Sequence, residues 1–249
     1  MIDAAGIAGY GAAGDTAKFN VASFTLQNPA TLENPKGRSF VTASGKSLGT
    51  GGLEINATTI TAGSGALTIE GFDTTTFSAA GLLALDGAGS LELKSKQSTL
   101  KGGWIGAKSD GTSFDVTSTG SLKLAGNTLP QNFSARVGQA AKLTFKGASV
   151  DLVDADAVNG VVAPTLVLPS GDLTLQATSG DVTLGKDATL LASGLSYDFE
   201  GAAAYTPGGA VRLVSDQGNV RVNNGAVVDV SAQGDADAGL VTVSAIKGV

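Results

Sequence analysis

Two residue types are missing altogether: the 249-residue sequence has no cysteine and no histidine. Without cysteine there is no disulfide and no thiolate metal site. Without histidine the chain lacks the commonest general base and the commonest zinc ligand. Ser-His-Asp and Cys-His catalysis are both excluded. Charge and aromaticity are also sparse, with 15% of residues charged and 5% aromatic. Helix-rich surfaces draw on Lys, Glu and Arg, so this balance points to β-structure with many turns. The 16 Lys and Arg residues form no basic run and are outnumbered by 22 Asp and Glu, for a net charge of −6. That balance argues against a nucleic-acid partner or an anionic membrane. No run approaches the ~18 apolar residues of a spanning helix. Met1-Ile-Asp-Ala-Ala-Gly has neither the basic start nor the apolar core of a signal peptide.

What is abundant is glycine, 36 residues, beside a 42% apolar content made mostly of small aliphatics. This is too apolar for a disordered chain. The glycines recur in one phrase, a glycine followed by two apolar residues flanking a polar one. It reads Gly51-Gly-Leu53-Glu-Ile55, Gly65-Ala-Leu67-Thr-Ile69, Gly89-Ser-Leu91-Glu-Leu93 and Gly120-Ser-Leu122-Lys-Leu124. It returns as Gly171-Asp-Leu173-Thr-Leu175, Gly180-Asp-Val182-Thr-Leu184, Gly209-Ala-Val211-Arg-Leu213, Gly218-Asn-Val220-Arg-Val222 and Gly239-Leu-Val241-Thr-Val243. Ala141-Lys-Leu143-Thr-Phe145 keeps the pattern without the glycine. Alternation with period two is a strand signal, and the glycine supplies the turn before it.

The spacing of the phrases carries more. Leu173 to Val182 and Val211 to Val220 are steps of 9, which read as a strand turning a corner to the next face. Steps of 21 (Leu122 to Leu143, Val220 to Val241) and 30 (Leu143 to Leu173, Val211 to Val241) read as one full coil. The fold class expected is all-β, a right-handed parallel β-helix with short extra-helical loops. At 20–30 residues per rung the chain makes about ten rungs, each hydrogen-bonded to its neighbours at ~4.8 Å. The alternative, an antiparallel sandwich or barrel, would favour bulkier core aromatics and more hairpin dipeptides.

One continuous domain is expected, with degenerate rungs over 1–50 and a regular rod over 51–249. The regularity breaks near 127–139, 151–170 and 187–208, which read as irregular insertions. The strand pattern near Val243 continues almost to the end without a polar cap, so the reading expects a fragment of a longer protein.

Chemistry is thin. Asp154-Ala-Asp156 and Asp235-Ala-Asp237 place carboxylates two apart, on one side of an extended chain, where they could act as acid and base on a polysaccharide. Their surroundings lack the aromatics and Arg of a sugar-cleaving cleft, so they read as solvated turn residues. Asp154 to Gly160 fails the spacing of a calcium loop. Gly6-Ile-Ala-Gly9-Tyr-Gly11 lacks the strand–loop–helix context of a phosphate loop. Asn56-Ala-Thr58 and Asn132-Phe-Ser134 match glycosylation sequons. Trp104 is a core or corner filler before it is a sugar platform. The expected ligand contacts are Tyr197, Phe199 and Tyr205, clustered in an irregular stretch. No catalytic residue, metal or cofactor is expected.

The stretch from Gly171 to Ala245, and more loosely Leu53 to Phe145, resembles the repeats of filamentous haemagglutinin-like exoproteins, the secreted passengers of bacterial two-partner secretion. Gly-x-Val-x-Leu, Gly-Asn-Val-x-Val and Val-Asp-Val-Ser-Ala (Val228 to Ala232) carry the likeness. Asn34-Pro35-Lys36-Gly37 only partly echoes the family's secretion-domain motif, so that domain is not assigned. The resemblance implies a right-handed β-helix, export through an outer-membrane secretion partner of the full-length protein, and a place outside a Gram-negative cell, secreted or on the outer-membrane surface. It implies a non-enzymatic adhesin or fibre shaft meeting a host or neighbouring-cell glycan or protein. A polysaccharide-acting enzyme and a pure spacer are the alternatives. The open strand edges also suggest end-to-end self-association.

Overall fold

The computed structural model describes residues 1–32, 34, 37–156 and 158–247, with the backbone alone for residue 199. Pro35 and Lys36 of the partial secretion motif lie outside the described residues. Among the described residues every regular element is a strand, and no helix is long and apolar enough to cross a membrane. The strands form one 14-stranded, one eight-stranded and one two-stranded sheet. The two large sheets are built of parallel ladders and neither closes into a barrel.

The eight-stranded sheet gathers the glycine-led phrases. It starts with Gly6–Ala8 and continues through Gly65–Glu70, Ala88–Lys94, Ser113–Ser118, Lys142–Gly147, Asp172–Ala177, Ala210–Ser215 and Leu240–Ala245. Register stacks Leu67, Leu91, Val116, Phe145, Leu175, Leu213 and Val243 in one column. The next column runs Gly65, Gly89, Phe114, Leu143, Leu173, Val211 and Val241. Glycine is required at its second step: a Cβ on Gly89 would lie 2.8 Å from the Phe114 ring and 2.7 Å from the Gly65 carbonyl oxygen. Two bare positions thus make room for one large side chain.

The 14-stranded sheet contains two runs of ladders. In the first, Gly51–Ala57 leads to the early parts of Phe72–Leu85 and Gln97–Ala107, then to Ser121–Gly126, Val150–Leu152, Val182–Leu184 and Val220–Val222. Its main column is Ile55, Phe77, Leu100, Leu124, Leu152, Leu184 and Val222. In the second run, Ser23–Gln27 and Thr59–Ala62 lead to the late parts of the two long strands. Thr165–Val167, Thr189–Leu191 and Val227–Asp229 follow. Here the column is Phe24, Ile60, Leu83, Ile105, Leu166, Leu190 and Val228.

The chain visits these three runs in turn, except that between Ser121–Gly126 and Lys142–Gly147 it passes the second run without a strand, and its core is a single cluster of aliphatics and phenylalanines. Each fully buried aliphatic contributes roughly 1.5–3 kcal/mol. Four of the buried hydroxyls pair with one another: Thr75 with Ser95 at 2.7 Å and Ser98 with Ser118 at 2.9 Å. Hydroxyls so paired escape most of the burial cost.

The steps of 30 residues are in register, Leu143 beside Leu173 and Val211 beside Val241. The steps of 21 are not full turns. Leu122 and Leu143 lie in different sheets, and the partner of Leu122 is Val150, 28 residues on. The turns are unequal in length: 36 residues between Ala17 and Leu53, 22 between Leu53 and Thr75, 38 between Val182 and Val220, and 30 between Val211 and Val241.

Residues 127–139 contain no strand. Within 151–170 the chain re-enters the sheet as Thr165–Val167, and within 187–208 as Thr189–Leu191; Leu166 and Leu190 are both fully buried. Among the first fifty residues, Thr16–Asn20 pairs with Gly51–Ala57 and Ser23–Gln27 with Thr59–Ala62.

Candidate functional site

The expected contact residues fall on the one antiparallel hairpin among the described strands, Ser196–Phe199 with Ala202–Tyr205. Glu200 and Gly201 turn it with φ of 52° and 88°. Positive φ at both central residues is the tight-hairpin geometry that matches strand twist. The Asp198 carboxylate accepts the Gly201 N–H at 2.8 Å. At the base, the Leu195 N–H donates to the Thr206 hydroxyl at 2.7 Å, and that hydroxyl also meets Ser170 Oγ at 2.6 Å. The Gly194 N–H donates to the Ser231 carbonyl at 2.8 Å. The hairpin therefore projects from a fixed base.

It does not gather its tyrosines on one surface. Tyr197 sits opposite Ala204, and Tyr205 opposite Ser196. Directly opposed residues share a face and neighbours along a strand alternate, so the two tyrosines occupy opposite faces. Tyr205 lies against Gly234, where an added Cβ would come within 2.2 Å of its ring. It braces the loop between Val227–Asp229 and Leu240–Ala245 while keeping 38% of its surface exposed. The side chain of Phe199 is outside the described set.

The acidic pairs serve turns. Asp154 accepts from the Lys186 backbone N–H and from Asn223 Nδ2 at 3.0 Å, linking corners of three successive turns. These bonds, the Lys186 N–H first, hold its pKa below the usual carboxylate value. Asp156 accepts from the N–H groups of Val158 at 3.0 Å and Asn159 at 3.2 Å, and its pKa is lowered, chiefly by the Asn159 side chain. A carboxylate held ionised is a poor general acid at neutral pH. Asp235 and Asp237 are exposed in the loop braced by Tyr205. Among the described residues no group of three or more acidic side chains could hold a metal ion.

Trp104 is neither core nor free platform. It lies on the outer side of Gln97–Ala107, covered edge-on by Phe133 at 5.8 Å between ring centres and 73°. Phe133 belongs to the strandless segment 127–139, a strap across the outside of the second ladder run. Glycines let it approach: a Cβ on Gly81 would meet the Phe133 ring at 2.2 Å, and one on Gly103 the Leu129 side chain at 2.4 Å. The strap is tied by Arg136 to Asp110 at 2.6 Å and by the Gly138 N–H to the Ala107 carbonyl at 2.9 Å.

Beside the strap lies a trough of about 520 Å³ floored by Ser23, Thr25, Thr59 and Thr61. Sequence reading missed it because its residues come from strands and a strap far apart in the chain. The alternation of Ser23-Phe-Thr25 and Thr59-Ile-Thr61 was the available signal.

Comparison of the chain with family models, with curated proteins and with solved structures gave no match.

Proposed function

We propose that this chain is a right-handed parallel β-helix forming part of a large exoprotein of the filamentous haemagglutinin-like kind, and that it acts without catalysis as a fibre shaft or adhesin. The observation that carries the reading is the continuity of the inner columns. Ile55 to Val222 and Leu67 to Val243 stack turn upon turn in parallel register, and Phe24 to Val228 does so with one turn skipped between Ile105 and Leu166. Such stacking makes a quasi-one-dimensional solid in which each turn is held by its neighbours. A rod of this kind supplies length and stiffness, while insertions supply contacts.

The use of Asp154 and Asp156 as turn acceptors supports a non-enzymatic role. The projecting hairpin supports adhesion, with the exposed Tyr205 the aromatic best placed to meet a glycan or protein, since the Tyr197 hydroxyl is buried. Secretion through an outer-membrane partner, and a place in the medium or on the surface of a Gram-negative cell, belong to the same proposal and rest on the sequence resemblance.

Retention of the purified chain on an array of glycans and matrix proteins is the test, run beside a variant in which Ser196 to Tyr205 is replaced by a short Gly-Ser link. Selective retention lost with the hairpin is the result expected of an adhesive module; no retention reduces the role to a shaft. Release of reducing ends from acidic glycans by the purified chain would overturn the non-enzymatic reading. Antibody labelling of intact cells, absent until they are permeabilised, would overturn the surface location.

A further inference from the structure

The trough beside the strap has a lining of consistent chemistry. Phe24, Ile60 and Leu83 point into the core, so the residues on either side of each point out. Two outward rows result: Ser23, Thr59 and Leu82, and Thr25, Thr61 and Ala84. Strands ~4.8 Å apart place the four hydroxyls in a compact lattice, closed at its inner end by the buried Leu82 and Ala84. The rows continue to Trp104 and Gly106, but there the strap takes over, with Phe133 on the indole and Val137 3.3 Å from where a Gly106 Cβ would stand. Ala135 and Arg136 of the strap, with Lys108 and Ser109, line the rest of the trough.

The lining contains two cations and no carboxylate, in a protein of net charge −6. Lys108 stands 3.9 Å from Asp86, and Arg136 stands 2.6 Å from Asp110. Both cations are more than half exposed, at 56% and 75%, and their acidic partners lie outside the lining. Exposed pairs of this kind are weak and easily shared with a third group. A nucleic acid fits poorly, since the lining offers no aromatic face for a base.

We infer that this trough binds an acidic oligosaccharide. Its hydroxyls exchange hydrogen bonds with Ser23, Thr25, Thr59 and Thr61. Its carboxylate or sulfate group is held between Lys108 and Arg136. The site is separate from the hairpin and does not depend on the adhesin reading.

Calorimetric titration of the full chain tests this with three probes: a trigalacturonate, a sulfated galactose trisaccharide and the unmodified neutral trisaccharide. Binding of at least one acidic probe is expected, weakened tenfold or more by raised salt, with the neutral probe much weaker. The preferred acidic probe identifies the anionic group. Lys108→Ala should cost tenfold or more in affinity, and so should the double variant Thr59→Val/Thr61→Val, each melting like the parent. Replacing Ser196 to Tyr205 should leave this binding unchanged. Absence of binding by both acidic probes at millimolar concentration overturns the proposal. So does acidic binding that neither the Lys108 nor the threonine variants weaken.

Discussion

Leu173 shows what a single position carries. It is 1% exposed, between Leu143 and Val211 in its column. Leu173→Asp buries a charge with no partner and should destabilise by several kcal/mol; thermal unfolding measures it, and an unchanged melt would mean the register is wrong. Acid sensitivity is also a residue property. Asp154, Asp181 and Asp229 have lowered pKa values, caused first by the Lys186 N–H, the Asn219 N–H and the Ser231 side chain respectively. A carboxyl group lowered in the folded state contributes stability that is present above its unfolded pKa and lost as pH falls through the folded one. Stability should therefore decline on acidification below about pH 4, and Asp154→Asn should flatten that decline in melting curves taken from pH 6 to 2. At this scale the sequence was readable where alternation is strict. The sharing of space among Gly65, Gly89 and Phe114 was not, because it joins three turns that no local pattern connects.

Among elements, the strap offers the cleanest optical test. Trp104 is the only tryptophan, and Phe133 covers it. Phe133→Ala should shift its emission to the red and raise its quenching by acrylamide, with roughly 1–2 kcal/mol or less lost in melting because the inner columns are untouched. An unchanged spectrum would mean the strap does not rest on the indole in solution. The phrases led by glycine were legible as strands because two inward residues and a turn repeat together. Thr165–Val167 and Thr189–Leu191 were hidden in stretches that read as insertions: each is three residues long and has a single fully buried side chain, Leu166 or Leu190. One inward residue per strand sets no period. For the same reason 21-residue steps passed for whole turns, since unequal corners make spacing a poor guide to register. The hairpin was legible only as a cluster of aromatics, and pairing, not composition, decides that Tyr197 and Tyr205 part company.

For the whole molecule, the exposed apolar strand is Leu240–Ala245 rather than an inner ladder. Leu240, Val241 and Val243 are 60%, 41% and 42% exposed, although the last two continue inner columns. Leu240–Ala245 has a strand partner on one side, Ala210–Ser215. An apolar parallel edge of this kind templates further pairing. The isolated chain should associate end to end as its concentration rises in sedimentation velocity, and Val243→Lys should suppress this; a sharp monomer at high concentration would count against it. Three strand runs and a common core were foreseeable from the repeated phrase, whereas the unequal turn lengths were not, because the differences lie within the corners.

These unequal turns have a mechanical consequence. Backbone hydrogen bonds join one turn to the next, so tension applied between the ends loads one inter-turn ladder at a time, as in opening a zip, and spares the others. Each release frees the slack of a single turn, 22 residues near Leu53 and 38 near Val182. At ~3.3–3.6 Å per extended residue, pulling should produce a staircase of unequal treads, roughly 75 Å for the turn that follows Leu53 and roughly 130 Å for the turn that follows Val182.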